Sequence, residues 1–400
     1  MSSHVLNELG ANVARVALPL VAVLTLHATP FEVGVLSAAQ TVAFLLLGLP
    51  AGVWIDRLRR RRVMAAADLA RFVLLASIPL ADLFGVLSMT MLYVVALLAG
   101  CAQLFNDVAD QSYLPTLVGK GELTDGNSKL EVVRATGGLV GPGLGGLLVQ
   151  LLTASRTLLA TAVAALGSLI FLITIRTADP LPVRPQREGL RREMAEGLAF
   201  VWRDRILRMI CLTTAVTNLT VSAVLGLSVL FLADVVGLAP GLVGVLLTGG
   251  AVGALIGGAV GTRIFARYGT ARVTWVALLV TSPFGLLLPL TEADWRVSLY
   301  AITSIALTFG SILYNVGQLT YRQSVTPAHL LGRVNATVRF LVWGTMPLGA
   351  LLGGVVAQAI GVREALWVFM VGRLLSALPL LFSPLPGMRE FVTETAQVKS

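Results

Sequence analysis

Residues 127–147 read NSKLEVVRATGGLVGPGLGGL and string together Gly137, Gly141, Pro142, Gly145 and Gly146 within one apolar stretch. On a helix these positions leave one face almost without side chains, and the proline removes a backbone donor. In water each interior glycine would cost a helix roughly 1 kcal/mol and the proline about 3. The stretch therefore reads as a membrane helix, in which lipid and neighbouring helices support a bare face suited to close packing and bending. A generic small-residue packing helix is the plainer alternative.

Composition extends that reading to the whole chain. Of 400 residues, 56% are hydrophobic and 13% charged, with a mean hydropathy of +0.84, which is more apolar surface than a soluble core hides. Apolar runs of about 20 residues exclude a porin-like barrel, whose strands are short and alternating. Helices remain as the way to satisfy the backbone in lipid. The net charge of +9 lies mostly in loops between the runs, without a basic groove interleaved with aromatics, so nucleic acid is not an expected partner. Cys101 and Cys211 fall in separate runs, and His4, His27 and His329 are scattered. Neither a disulfide nor a metal site is expected, and no cofactor.

Twelve spans can be drawn, at 3–26, 31–55, 63–84, 88–112, 130–152, 157–175, 206–235, 241–266, 273–290, 298–317, 334–360 and 365–385. The first begins almost at Met1, which leaves no room for the charged region of a cleaved signal peptide. The expected fold is all-α and integral to the membrane. Twelve transmembrane helices form two six-helix bundles, 1–176 and 206–388, joined by a cytoplasmic linker, 177–205, and followed by a cytoplasmic tail, 389–400. In the linker, Leu190, Met194, Leu198 and Val201 make one apolar stripe, with Arg191, Arg192, Glu193 and Glu196 largely elsewhere. That pattern suits an amphipathic helix on the membrane surface or a solvated linker helix.

Segments after the even-numbered spans carry Arg57 to Arg62, Lys120, the linker arginines, Arg267 with Arg272, and Arg322 with Arg333, whereas the opposite loops carry Arg156, Arg296 and Arg363. Both termini are therefore expected in the cytoplasm. An internal repeat supports two bundles of the same sense. The basic loop 57–63 recurs at 267–273, QSYLP from Gln111 recurs as QSVTP from Gln323, and Asn127 with Gly145 and Gly146 recur as Asn335 with Gly353 and Gly354. Such a parallel repeat separates this architecture from carriers built on inverted repeats.

Several segments carry a family resemblance. G-x-x-x-G-P-x-x-G-G at Gly137 to Gly146 resembles the antiporter signature of the fifth helix in exporters of the major facilitator superfamily. GVWIDRLRRRR at 52–62 resembles that superfamily's loop between its second and third helices. ALPLVAVLTL, HATPFEVGVLSA, SYLPTLV, GNSKL and TPAHLLGRVNATVRFLVWGTMPLGALLGG resemble the bacterial branch of macrolide and enterobactin exporters. The resemblance spans residues 10–385. It implies alternating access by two bundles rocking about a central cavity, in a monomer of the bacterial cytoplasmic membrane.

In the loop motif, Gly52, Asp56, Arg57, Arg61 and Arg62 match the family and Arg59 replaces a usual glycine. Asp56 at a helix end would latch the closed cytoplasmic side. A positive-inside anchor is the alternative, although arginines alone would serve for that. The second copy, RIFARYGTAR at 263–272, has Ala266 in place of Asp56, so a latch would be asymmetric. Asp68 and Arg71, one turn apart and grouped with this gate motif, can pair with each other or with the basic loop, and structural pairing is the favoured role.

Ionisable groups inside spans are costly and usually face water or one another. Glu8, Arg15, Asp107 and Asp110 are the ones nearest the expected cavity, and Asp107 is the candidate proton carrier; capping or pairing at the cytoplasmic surface is its alternative. Drug/proton antiporters of the superfamily usually carry an arginine four residues before a glycine in the fourth helix. Here Ala96 precedes Gly100 in that way, and Arg15 is the substitute considered. Asn218, Tyr314, Asn315 and Gln318 are candidates to orient a ligand or to bond between helices, at about 0.6 kcal/mol each in lipid.

No phosphate loop, G-x-S-x-G turn or His/Glu metal pattern occurs, so an enzyme is not expected. The function expected is secondary active export of a hydrophobic or amphipathic small molecule, coupled to protons. An uncoupled or importing metabolite or sugar carrier, and a transport-inactive scaffold or sensor, are the alternatives. On the export reading, a bulky residue at Gly145 or Gly146 stops transport and leaves insertion intact.

Overall fold

The computed structural model describes residues 2–55, 58–117, 123–174, 190–327 and 330–391. All regular elements among them are helical. The first half comprises α1 (Ser2–Leu24), α2 (Pro30–Ile55), α3 (Arg60–Leu83), α4 (Met89–Leu117), α5 (Leu123–Leu152) and α6 (Ala154–Thr174). After α7 (Leu190–Arg203), the second half runs through α8 (Arg205–Leu230), α9 (Pro240–Leu247), α10 (Gly249–Tyr268), α11 (Thr270–Thr281), α12 (Val297–Val325), α13 (Leu331–Trp343), α14 (Thr345–Ile360), α15 (Val362–Leu375) and α16 (Leu378–Leu381). Among the described residues, eleven helical spans are long and apolar enough to cross a membrane, and the apolar part of α5, Thr136–Leu152, is a shorter twelfth.

Local chemistry sets the element ends. Before α2, Thr29 and Glu32 form a reciprocal capping box, with the Thr29 N–H donating to Glu32 Oε2 at 2.8 Å and the Glu32 N–H to Thr29 Oγ1 at 3.3 Å, and Pro30 follows in the first turn. Asp204 caps α8 through Oδ1, which accepts from the Leu207 N–H at 2.7 Å. Several spans expected to be continuous are broken. The ninth passes from α11 into a 3-10 segment, Ser282–Leu290, that contains Pro283 and Pro289, residues that cannot extend an α ladder. Breaks at Thr248 and Gly344 divide the eighth and eleventh, and a π turn, Phe231–Val235, ends the seventh. Between Leu290 and α12, Arg296 donates to Asp294 at 3.1 Å and holds that exposed carboxyl below its ordinary range.

The helices pack in two units, each with its own interior. The first unit holds residues 1–185, 225–248 and 350–363. In it α1 packs on α5 and α6, α2 on α4, α3 on α4 and α6, and α5 on α9. The second holds 186–224, 249–349 and 364–400. There α12 lies between α10 and α11, against Gly253 and Gly257 on one side, with its own Gly310 and Gly317 against Thr281 and Thr274 on the other.

The linker helix does not stand alone on lipid or in water. In α7, Gly197 packs on Arg333 and Thr337 of α13, Glu196 pairs with Arg333, and Val201 enters the second unit's core, 1% exposed, beside Val334 and Val338. Of the expected apolar stripe, Val201 is buried and Leu198 is exposed. A short strap closes the described chain. The Arg389 carbonyl accepts from Ala271 and Arg272 N–H, Glu390 accepts from the Thr270 hydroxyl at 3.0 Å, and the Phe391 ring lies 5.0 Å from that of Tyr321.

Candidate functional site

Polar residues of α1, α3, α4 and α6 meet inside the first unit. Asp68 is 1% exposed, and both of its oxygens are engaged: Oδ1 accepts from Asn106 Nδ2 at 2.8 Å and Oδ2 from the Ser168 hydroxyl at 2.6 Å. Arg71, also buried, donates to Asn7 Oδ1, and Asn7 Nδ2 donates to Asn106 Oδ1 at 3.1 Å. The two charges are thus linked through a pair of asparagines. Arg71 also lies in the field of Asp107 and Glu8.

Asp107 is half-buried on α4 and accepts from Gln103 Nε2 at 2.7 Å, one turn back. Asp110 faces His4 across the gap to α1, 3.4 Å from its Nδ1. Along α1, Asn12 donates to the Glu8 carbonyl at 2.8 Å and accepts from Arg15 at 3.0 Å. Arg15 is exposed.

The glycines of α5 explain how these helices approach. A Cβ on Gly137 would sit 3.2 Å from Glu8 Cβ, one on Gly141 would strike Asn12 Cβ, and one on Gly145 would lie 3.3 Å from Val13 Cα. These three glycines, spaced by four, admit the polar face of α1. Gly146 faces elsewhere: a Cβ there would strike the Pro240 carbonyl and sit 2.7 Å from the Gly244 Cα on α9. Gly34 of α2 packs in the same way on Gly354 of α14, where a Cβ on Gly34 would sit 2.7 Å from the Gly354 Cα. The bare stretch in the sequence therefore serves two faces, and the α5 helix runs on through Pro142, whose carbonyl lies beneath Gly244.

The other candidates divide. Asp56 and Arg57 of the loop motif lie outside the described residues, as do Lys120 and residues 177–189 of the linker; Gly52 falls within α2, and Arg61 donates to the Ile173 carbonyl at 2.5 Å, tying the start of α3 to α6. In the second unit, Tyr314 bonds to Thr214 at 2.6 Å and to the Ile210 carbonyl at 3.1 Å, and Asn218 donates to the Val342 carbonyl at 3.1 Å. Both tie helices together. Asn315 is exposed on α12, and Gln318 is half-buried one turn on.

Sequence reasoning passed over Asn7, Asn12, Asn106 and Ser168, because a search for ionisable groups ignores the amides and hydroxyls that hold them. It also passed over Arg373, a charged residue in the middle of the last span, whose position alone marks it for attention.

Comparisons with known proteins agree with the helix packing. A family model described as Major Facilitator Superfamily matches residues 1–346. The chain is 29% identical over 394 residues to the multidrug efflux pump Tap of Mycolicibacterium fortuitum, covering 95% of this chain and 93% of that one. It is 28% identical over 359 residues to the enterobactin exporter EntS of Escherichia coli, covering 88% and 82%. Its fold is similar to that of an inward-facing bacterial homologue of the iron transporter ferroportin, with a TM-score of 0.73 at 17% identity over 95% of this chain and 97% of that one.

Proposed function

The chain belongs to the Major Facilitator Superfamily, in its bacterial drug-exporter-like branch, and is a multi-pass membrane transporter of small molecules rather than an enzyme; from that footing we propose that it exports a hydrophobic or amphipathic molecule by alternating access in exchange for protons. The observation that carries coupling is Asp107. It is a half-buried carboxylate held by Gln103 and placed in the field of the buried Arg71, next to the His4–Asp110 pair. Proton exchange needs a carboxylate that a water-filled path reaches from each side in turn, and Asp107 is the one we assign to it. Asp68 has both oxygens engaged and reads as the fixed part of the network.

Alternation is supported by the glycine contacts. Gly34 with Gly354, and Gly146 with Gly244, bring backbones together near the ends of α2, α14, α5 and α9. These ends are extracellular by the positive-inside reading, which puts both termini in the cytoplasm. Opening to the outside requires both contacts to part.

The test is accumulation of lipophilic cationic dyes and antibiotics in an efflux-deficient bacterium that expresses the chain. Lower accumulation, abolished by a protonophore and by Asp107→Asn, is the expected result. Unchanged accumulation across the panel, with the protein shown to be in the membrane, counts against multidrug export. Lower accumulation that resists the protonophore counts against coupling alone.

A further inference from the structure

Arg373 lies eleven residues into α15, about 16 Å along the helix axis, and is 1% exposed. One of its nitrogens donates to Ser311 Oγ at 2.8 Å, while Nε and the other terminal nitrogen are buried without a hydrogen-bond partner. A guanidinium cannot shed its charge in a protein, and burying one without a counter-charge is costly. Arg71 in the first unit meets this demand with Asn7 and the fields of Asp68, Asp107 and Glu8. Among the described residues, Ser311 is the hydrogen-bond partner given to the Arg373 guanidinium.

Nor does its own half of the chain offer a carboxylate at that depth. Between residues 206 and 390 the acidic residues are Asp234, Glu292, Asp294, Glu364 and Glu390. They lie in the π turn after α8, in the loop before α12, in the first turn of α15 and beyond the last helix. The groups placed on Arg373 are hydroxyls: Ser311 at the guanidinium, and Ser376, which donates to the Arg373 carbonyl at 2.7 Å. Thr217 and Ser376 bond to each other at 3.0 Å on the side of α8.

Ser311 connects this buried charge to an accessible surface. Its hydroxyl donates to the Leu307 carbonyl at 2.8 Å and so presents a lone pair to Arg373. It is half-buried on the α12 stripe that continues to Asn315 and Gln318, four and seven residues on. We propose that Arg373 binds an anionic group, such as a carboxylate or sulfonate, of the transported molecule, reached past Ser311 from this stripe. The substrate class then includes amphipathic organic acids and zwitterions. The proposal rests on the transport reading and names the chemistry of its substrate. The depth of Arg373 in the span puts it beyond the reach of lipid headgroups.

The experiment uses the full chain purified into nanodiscs of zwitterionic lipid, with fluorescein as the anionic probe, rhodamine 6G as the cationic one and chloride as the inorganic control. Fluorescein binding and thermal midpoints are measured for the wild type, Arg373→Met and Arg373→Lys. Arg373→Met is expected to raise the ligand-free midpoint, because an unpaired buried charge is removed, and to weaken fluorescein binding by about tenfold or more while rhodamine 6G binding stays within about twofold. Arg373→Lys keeps the charge without the fork and is expected to weaken fluorescein binding by about tenfold. It decides the matter should Arg373→Met not fold. Three results each overturn the proposal: a lowered ligand-free midpoint in Arg373→Met, unchanged fluorescein affinity in both variants, or protection by chloride equal to that by fluorescein. Since binding is read on purified protein, absence of export from cells with fluorescein binding intact would fail the transport reading instead.

Discussion

Gly146 and Gly244 touch backbone to backbone: a Cβ on either would lie under 3 Å from the Cα of the other. The internal repeat maps Gly34 to Gly244, 210 positions on, and Gly146 to Gly354, 208 positions on, so Gly34 against Gly354 is the same contact made a second time. The flanking contacts repeat as well. The Pro240 carbonyl lies against Gly146 as the Pro30 carbonyl lies against Gly354, and the Pro142 carbonyl lies against Gly244 as the Ala350 carbonyl lies against Gly34. A pair of contacts related by the repeat is what two bundles closing against each other at one end would produce.

Gly146→Leu and Gly34→Leu should therefore fail alike. Overpacking of about 1–3 kcal/mol at either contact disfavours the closed arrangement by roughly 5- to 150-fold, so export falls while insertion is retained. Spin labels on Thr153→Cys and Ala239→Cys should report a longer distance in Gly146→Leu. Gly138→Leu, on the same helix with nothing within 4 Å of its Cβ position, should behave as wild type. Normal export by Gly146→Leu would remove this contact from the mechanism.

The buried pair in the first unit predicts a different pattern. Asp68→Asn leaves Arg71 without its buried counter-charge and takes the acceptor oxygen from one of Asn106 and Ser168, and the thermal midpoint should fall with a loss of about 3 kcal/mol or more. The double variant Asp68→Leu/Arg71→Met removes both charges and should recover part of that loss. A double variant no more stable than Asp68→Asn would show that the asparagines, and not the charge pair, dominate the network.

At the start of the second half, Asp204 both caps α8 and accepts from the Tyr321 hydroxyl at 3.1 Å. Asp204→Ala should cost about 1–2 kcal/mol. Tyr321→Phe should cost about 1 kcal/mol, because it removes one bond and leaves the cap. Thermal unfolding of the two variants checks the order, and equal losses would show that capping contributes little.

How much of this was legible in the sequence depends on which residues carried the signal. Span number and class follow from hydropathy, since lipid leaves the backbone few options. The glycines of 137–146 announced close packing because a missing side chain shows in the sequence. Which helix each glycine would meet did not show, since Gly145 and Gly146 differ by one position and face α1 and α9 respectively. Breaks at Thr248 and Gly344 were hidden within uniformly apolar runs. In the site, Asp68, Arg71 and Asp107 stood out by charge, whereas Asn7, Asn106 and Ser168 became informative only when the fold put them between those charges. For Tyr314 and Asn218 the sequence left both ligand binding and helix bonding open, because it does not distinguish a polar side chain that bonds a neighbouring helix from one that faces an open surface; the fold gives both to helix bonding.

Coupling is the central claim, and purified protein in liposomes tests it most directly. A pH gradient is imposed across vesicles loaded with a pH-sensitive dye, and uptake of a lipophilic cationic substrate is followed together with proton movement. Substrate should accumulate against its own gradient while protons move the opposite way, and Asp107→Asn should abolish both movements. Uptake that reaches equilibrium only, at the same rate with and without the gradient and in Asp107→Asn, would contradict proton-driven export and leave an uncoupled carrier.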